Sequence, residues 1–308
     1  MIKDFINVEG PIDALFLVKQ CTKATSNNGT SYLSLVLQDK TGVLDCKMWQ
    51  ITEADCEIAK PGSIVRAIGI MGSYKGHPQL KINELTPVDE KDVSLSRFLP
   101  VAPRPIEEME KEVEEKIETI KDEELRLLTK TILEKRMESY LHFPAAVTVH
   151  HAYLGGLVYH SLSVLALCEK AASQYSFLDR DLLVAGALLH DIGKTEELSG
   201  AMVSTYTTKG NLLGHITLGA LIVQEEARNL NLSGEKITLL IHMILSHHGE
   251  LEFGSPKVPM TAESVVLHNM DDVDAKLNCL KNYLDLTEDE AFTTKIPWMN
   301  GAMFYKHD

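Results

Sequence analysis

The chain has 308 residues, 44% of them hydrophobic, and a formal net charge of −14. That length leaves room for two domains and the apolar fraction fills ordinary cores, but no apolar run approaches the ~20 residues that cross a bilayer. The opening MIKDFINVEG lacks the apolar stretch of a signal peptide, so a cytoplasmic protein with no membrane partner is expected. Five scattered cysteines, odd in number and never spaced C-x-x-C, exclude a disulfide framework and a zinc finger and read as small buried hydrophobes. The acidity is uneven: residues 1–90 carry net −2, 91–140 net −3 and 141–308 net −9. The objection that a nucleic-acid partner wants a basic footprint therefore weighs least on the first third of the chain.

In chain order, the first 90 residues read as β. Strand-like runs at Ile12 to Cys21, Ser31 to Gln38, Val43 to Trp49, Ser63 to Met71 and Gln79 to Leu85 are separated by turn signals, Asn27-Asn28-Gly29 and Lys75-Gly76 among them. Five strands, with a short polar segment from Ile51 to Ala59 between the third and fourth, predict a small closed barrel of the OB type. Alternation places Leu33, Leu35, Leu37, Leu44, Cys46 and Met48 inside and turns Tyr32, Lys47 and Trp49 outward together. On an OB barrel that face and its loops hold single strands, the rings stacking bases and the lysine meeting phosphate. Packing of Trp49 under the segment that follows it is the competing expectation. The stretches Thr22 to Ser31 and Ser73 to Pro78 are expected to be loops, the second carrying Tyr74 and Lys75 as strand-clamping residues.

A Pro-bearing linker follows near Val88 to Arg104, and the period then changes to that of amphipathic helices over Ile106 to Tyr140. From residue 141 the chain reads as all-helical: Val158 to Gln174, Asp181 to Asp191, His215 to Asn229, Gly234 to His247 and Ala262 to Leu284. The second of these is an almost wholly apolar helix ending in His190-Asp191-Ile192-Gly193-Lys194, with Gly193 expected as the stop. Taken alone, the His-Asp pair reads equally as a core histidine beside a capping aspartate. With His160 upstream and His215, His247-His248 and Asp271 downstream, the mixture of imidazoles and carboxylates suits Mn²⁺, Fe²⁺, Co²⁺, Ni²⁺ or Zn²⁺ better than Ca²⁺. Lys194, within a turn of Asp191, is placed either to meet a phosphate oxygen or to be an ordinary surface lysine.

The order H…HD…H…H…D resembles the HD superfamily of metal-dependent phosphohydrolases. The stretch from His150-His151-Ala152-Tyr153 through Gly155-Gly156 to His160, then HDIGK, Gly214-His215, Ser246-His247-His248-Gly249 and Leu267-His268-Asn269-Met270-Asp271, all after an OB-type barrel, is similar to the YhaM-type 3′-to-5′ exoribonuclease family over nearly the whole chain. The resemblance implies an enzyme that removes nucleotides from the 3′ end of RNA and single-stranded DNA with one or two divalent metals, Mn²⁺ being the usual one. It implies that His160, His190, Asp191 and Asp271 hold one ion, that Asp191 bridges to a second held by His215 and His247, and that two such ions share a water for in-line attack on phosphorus. It places the last ligand at Asp271 rather than Asp272 or Asp274, leaving Asp274 behind it, and implies a substrate-phosphate role for His151. His248 is open between metal, substrate and solvent; His77, His142, His242 and His268 are expected to be structural or exposed.

The expected organisation is an OB-fold nucleic-acid-binding domain over 1–90, linker and amphipathic helices over 91–140, and an HD phosphohydrolase domain over 141–308. An HD-type phosphohydrolase of small nucleotides, with the barrel as an oligomerisation or regulatory module, needs the same ligands and is the alternative. A non-catalytic nucleic-acid binder is disfavoured because every ligand position is filled, and an HD-fold di-iron oxygenase is more remote. Homo-oligomerisation stays open.

Overall fold

The computed structural model describes residues 1–5, 8–26, 28–146 and 151–307. The predicted turn residue Asn27 and the His150 of the sequence motif lie outside them. The chain divides into two compact units, Met1–Val101 and Ala102–Asp308.

In the first unit a short helical turn, α1 (Ile2–Phe5), precedes strands β1 (Gly10–Thr25), β2 (Ser31–Asp39) and β3 (Gly42–Trp49), helix α2 (Glu53–Ile58), and strands β4 (Ile64–Tyr74) and β5 (His77–Val88). The strands close in the order β1-β2-β3-β5-β4, with the parallel β3–β5 pair as the closing seam. Closure is possible because β1 is long enough to pair with β4 through its first half and with β2 through its second, its register shifting between Val18 and Gln20. The alternation read from the sequence is the one observed: Leu33, Leu35, Leu37, Leu44, Cys46 and Met48 are buried with Phe16, Val18 and Ile82 in one apolar cluster. The polar segment after β3 is a helix, started by a capping box in which Thr52 and Asp55 exchange side-chain-to-backbone hydrogen bonds.

Two expected loops are shorter than the sequence suggests. β1 runs on to Thr25, so Lys23 sits in the ladder opposite Leu33. The stretch Ser73 to Pro78 is a tight hairpin in which Lys75 and Gly76 both take positive φ (53° and 84°), the two-residue turn whose twist matches the flanking strands. Of the Pro-bearing stretch, the part up to residue 101 is tied to the barrel by Gln38 Nε2 donating to Phe98 O (3.2 Å) and Lys40 N to Arg97 O (2.9 Å).

The second unit contains α3 (Ile106–Glu118), α4 (Glu123–His142), α5 (Gly156–Gln174), α6 (Arg180–Leu189), α7 (Lys194–Glu197), α8 (Thr208–Asn229, kinked at Gly214), α9 (Glu235–Ser246) and α10 (Ala262–Asp285). Met109, Val113 and Ile117 of α3 and Leu125, Leu128, Ile132 and Leu133 of α4 join the core built around α6, so both amphipathic helices are part of this bundle. Helix α6 is buried on every side from Leu182 to Leu189, which explains its lack of a polar face. Among the described residues no helix is long and apolar enough to cross a membrane.

Gly193 does not end α6 by a left-handed turn. Its φ and ψ are −61° and −20°, and His190 caps the helix with its N–H on Gly186 O. Glycine is needed there for contact: a Cβ would lie 2.0 Å from His215 O and 2.6 Å from Gly219 N. The missing side chain lets α8 press its backbone against the turn that carries Asp191.

Candidate metal centre and nucleic-acid face

Five helices deliver the site. α5 presents His160 one turn from its start, α6 ends in His190 and Asp191, α8 presents His215 just past its kink, α9 ends in His247, and α10 presents Asp271 and Asp274 one turn apart. His160, His190, Asp191 and His247 are all no more than 2% exposed. Each imidazole is held from behind through Nδ1: His160 on Asp274 Oδ2 (2.7 Å), His190 on Ala187 O (2.9 Å), His247 on Ile244 O (2.7 Å) and His215 on Glu197 Oε1 (3.2 Å). An acceptor at Nδ1 keeps a proton there and turns Nε2 to the centre, the arrangement by which outer carboxylates and carbonyls orient metal-binding histidines.

At the centre stands Asp191. Its Oδ2 lies 3.4 Å from His190 Nε2 and 3.7 Å from His160 Nε2, and its Oδ1 lies 3.5 Å from His215 Nε2 and 3.8 Å from His247 Nε2. Asp271 Oδ1 is 3.0 Å from His160 Nε2 and 3.9 Å from His190 Nε2. Asp191 Oδ1, His215 Nε2 and His247 Nε2 are buried and make no hydrogen bond. Buried polar atoms without partners cost roughly 1–3 kcal/mol each, so three converging on one point call for a shared ligand. With metal–ligand bonds of about 2.0–2.2 Å, two ligands of one ion stand about 3–4 Å apart, and the distances from Asp191 Oδ1 to the two histidine nitrogens, 3.5 and 3.8 Å, fit that spacing. The donor set fits a divalent transition metal.

The electrostatics agree. Burial opposes ionisation of Asp191, but Lys194, His190 and His215 hold its pKa well below the usual carboxylate range, and His160 does the same for Asp271. Burial, with His248 and His190 nearby, pushes His247 far down, leaving it neutral as a ligand must be. Burial also works to lower His160, but its bonds to Asp271 and Asp274 outweigh that and lift it to about 9. The carboxylates that would favour a metal favour a proton at the same spot, so metal and proton compete there.

The expected residues differ in where they lie. Lys194 is no surface lysine: it is 8% exposed and donates to Asp191 Oδ2 at 2.5 Å, at the wall of a cavity of about 370 Å³ that also exposes Asp271 and His248. His151 sits behind the site. Its Nε2 meets Asp274 Oδ2 (2.8 Å) and its Nδ1 the Tyr153 hydroxyl (2.6 Å), so both ring nitrogens face protein partners. Asp274 thus grips two histidines at once and is pulled to a pKa of about 2 by them, against the effect of its burial. The His248 ring lies 5.2 Å from that of His215. Sequence reasoning missed Glu197, which receives both His215 N (2.9 Å) and its ring; its only signal was a carboxylate four residues past the HD turn. It also missed Trp298 and Asn300, which line the cavity from a segment without periodicity.

On the barrel, Tyr32 and Trp49 are cross-strand partners with ring centroids 4.6 Å apart, and Lys47 Nζ lies 5.0 Å from the Tyr32 ring while donating to Ser34 Oγ at 2.7 Å. Trp49 is 41% exposed, so it is not covered by α2. Tyr74, 58% exposed, and Lys75 make a second cation–π pair (5.6 Å) at the β4–β5 hairpin.

A closed barrel with an outward aromatic and cationic face, followed by a bundle that gathers H…HD…H…H…D around one carboxylate, defines an OB-fold protein with an HD domain. Residues 17–88 match the model of the OB-fold nucleic acid binding domain family and residues 157–276 that of the HD domain family. The chain is 40% identical over 296 residues to a Geobacillus protein named 3′-5′ exoribonuclease YhaM, covering 96% of this chain and 91% of that one. It is 38% identical to the Bacillus subtilis protein of the same name (96% and 94% covered) and 39% to that of Listeria monocytogenes (96% and 94%). The chain belongs to the YhaM family of 3′-5′ exoribonucleases.

Proposed function

We propose that this protein is a metal-dependent 3′-to-5′ exonuclease of single-stranded RNA that also accepts single-stranded DNA. The observation that carries the reading is the convergence of Asp191 Oδ1, His215 Nε2 and His247 Nε2, buried and without hydrogen bonds, in a chain whose full-length relatives are named exoribonucleases. His160, His190, Asp191 and Asp271 hold one divalent cation, and Asp191 with His215 and His247 a second, Mn²⁺ being the first choice and Co²⁺, Fe²⁺, Ni²⁺ or Zn²⁺ compatible with the same donors. Bound there, such cations lower the pKa of a water and offset charge on the phosphodiester.

The protein's own groups do the rest. Asp191, ionised and central, is shared between the two ligand sets. Asp274 holds the His160 ring in place and is itself held by His151, which makes His151 a positioning residue. Lys194, already bonded to Asp191, supplies a fixed positive charge at the cavity wall for a phosphate oxygen. Tyr32, Trp49 and Lys47, with Tyr74 and Lys75, bind the body of the strand by stacking and backbone charge.

A 5′-labelled single strand incubated with Mn²⁺ is expected to give a ladder shortening from the 3′ end. EDTA should stop it, and a 3′-terminal phosphorothioate should block it while a 5′ one does not. Internal cuts appearing first, or full activity in chelator, would overturn the proposal. Phosphate release from a nucleoside triphosphate with no ladder would transfer the same metal site to small nucleotides.

A further inference from the structure

Beyond α10 the chain folds back on itself. Thr293 N donates to Phe304 O (2.8 Å) and Lys306 N to Ala291 O (2.8 Å), while Ile296 N bonds Ala302 O (3.0 Å) across a turn closed by Gly301 N on Ile296 O (3.0 Å). Ile296 is fully buried and Thr293 is 2% exposed, so the hairpin is anchored by its stems. At its tip Pro297–Met299 form one helical turn, and Trp298 is 64% exposed. A lone exposed apolar residue needs no explanation by itself. This one lines the metal-ligand cavity together with Asn300, Lys194 and Lys276, and among the described residues lining that cavity it is the sole Phe, Tyr or Trp.

We infer that Trp298 is a substrate-binding residue that stacks on the nucleobase next to the scissile phosphate, so that the site demands a base without choosing which base. A nucleotide is an anionic phosphate joined to a planar ring, and this cavity offers fixed ammonium groups, metal-type ligands and one indole on a braced support. Stacking on an aromatic ring is tolerant of base identity because every base has a π face. A nuclease that advances through any sequence requires that tolerance. The inference rests on the nuclease reading of the site and adds a contact that no ligand residue supplies.

The experiment uses the full-length protein and two short strands too small to engage the barrel, one ending in an ordinary 3′ nucleotide and one in an abasic 3′ residue. Trp298→Ala is expected to lower kcat/KM on the ordinary strand by roughly 5- to 150-fold. The wild type should lose a similar factor on the abasic strand, and the variant should lose nothing further there; Trp298→Phe should recover most of the activity. Equal losses by Trp298→Ala on both strands, or no loss on either, would overturn the inference while leaving the nuclease intact. Failure of the wild type to trim any strand would overturn the nuclease reading and this one with it. Binding gives an independent readout, since the chain has two tryptophans and Trp49→Phe leaves Trp298 as the single indole. Its fluorescence should be quenched by adenosine 5′-monophosphate and not by ribose 5-phosphate, and equal responses to both would also overturn the assignment.

Discussion

Asp191, buried, and Asp274, partly buried, are both carboxylates among histidines, yet they do different work. Asp191 faces the unpaired ligand atoms; Asp274 faces the backs of His160 and His151. Asp191→Asn should reduce strand trimming on the order of 10³-fold or more at any metal concentration while preserving fold and strand binding. Asp274→Asn removes the negative charge from the one oxygen that both imidazoles share, so it should weaken apparent metal affinity about 10- to 100-fold and be rescued by added Mn²⁺. A metal titration of both variants separates the two roles, and rescue of Asp191→Asn would remove it from the centre of the site. The order of the histidines and aspartates that the fold gathers was legible in the sequence. The double grip of Asp274 was not, because pairing residues 123 and 114 positions apart is a property of packing.

At the scale of elements, the site depends on how closely α8 approaches the HD turn. Gly193→Ala would drive a Cβ into the His215 carbonyl and should cost roughly 2–4 kcal/mol in urea denaturation, whereas Gly200→Ala, with open space around it, should stay within about 0.5 kcal/mol. Equal effects would mean that the close approach is not a constraint. Elsewhere Glu169 of α5 receives Lys116 of α3 (2.5 Å) and Arg180 of α6, tying three helices. Burial raises its pKa, but the two hydrogen bonds outweigh that and leave it below its ordinary value of 4.5. A depressed folded-state pKa means the unfolded chain takes up the proton first. The contribution is therefore full above pH 4.5 and is lost as the pH falls through the lower, folded value. Glu169→Gln should cost about 1 kcal/mol near neutrality and progressively less in acid. A difference that does not shrink between pH 6 and pH 3 would show that the lost contribution is packing rather than charge.

For the whole molecule, charge and chemistry are divided along the chain. Most of the −14 lies in residues 141–308, where the candidate cation ligands are, and the barrel region is close to neutral. A near-neutral barrel suits modest strand affinity better than tight storage. Trp49→Ala removes the ring paired with Tyr32 and should raise KM on long strands by roughly 5- to 150-fold while leaving hydrolysis of a dinucleotide near wild type. Raising salt should erode the long-strand advantage as Lys47 and Lys75 contacts weaken. Equal loss on long and short substrates, with a lower Tm, would make Trp49 a packing residue and favour the small-nucleotide chemistry.

Periodicity alone determined the two architectures: alternation of Leu33, Leu35 and Leu37 fits only a strand with one buried face, and the apolar run of α6 fits only a helix buried all round. The order of the histidines and aspartates likewise pointed to a divalent-metal HD domain. Tertiary structure decided what depends on residues distant in sequence. It turned Lys194 inward to Asp191 and placed His151 behind Asp274. It made Gly193 a point of contact with α8, and it brought Trp298 to the cavity wall. Side-chain direction and close approach follow from how helices pack, and helix packing leaves no local pattern for a single sequence to display.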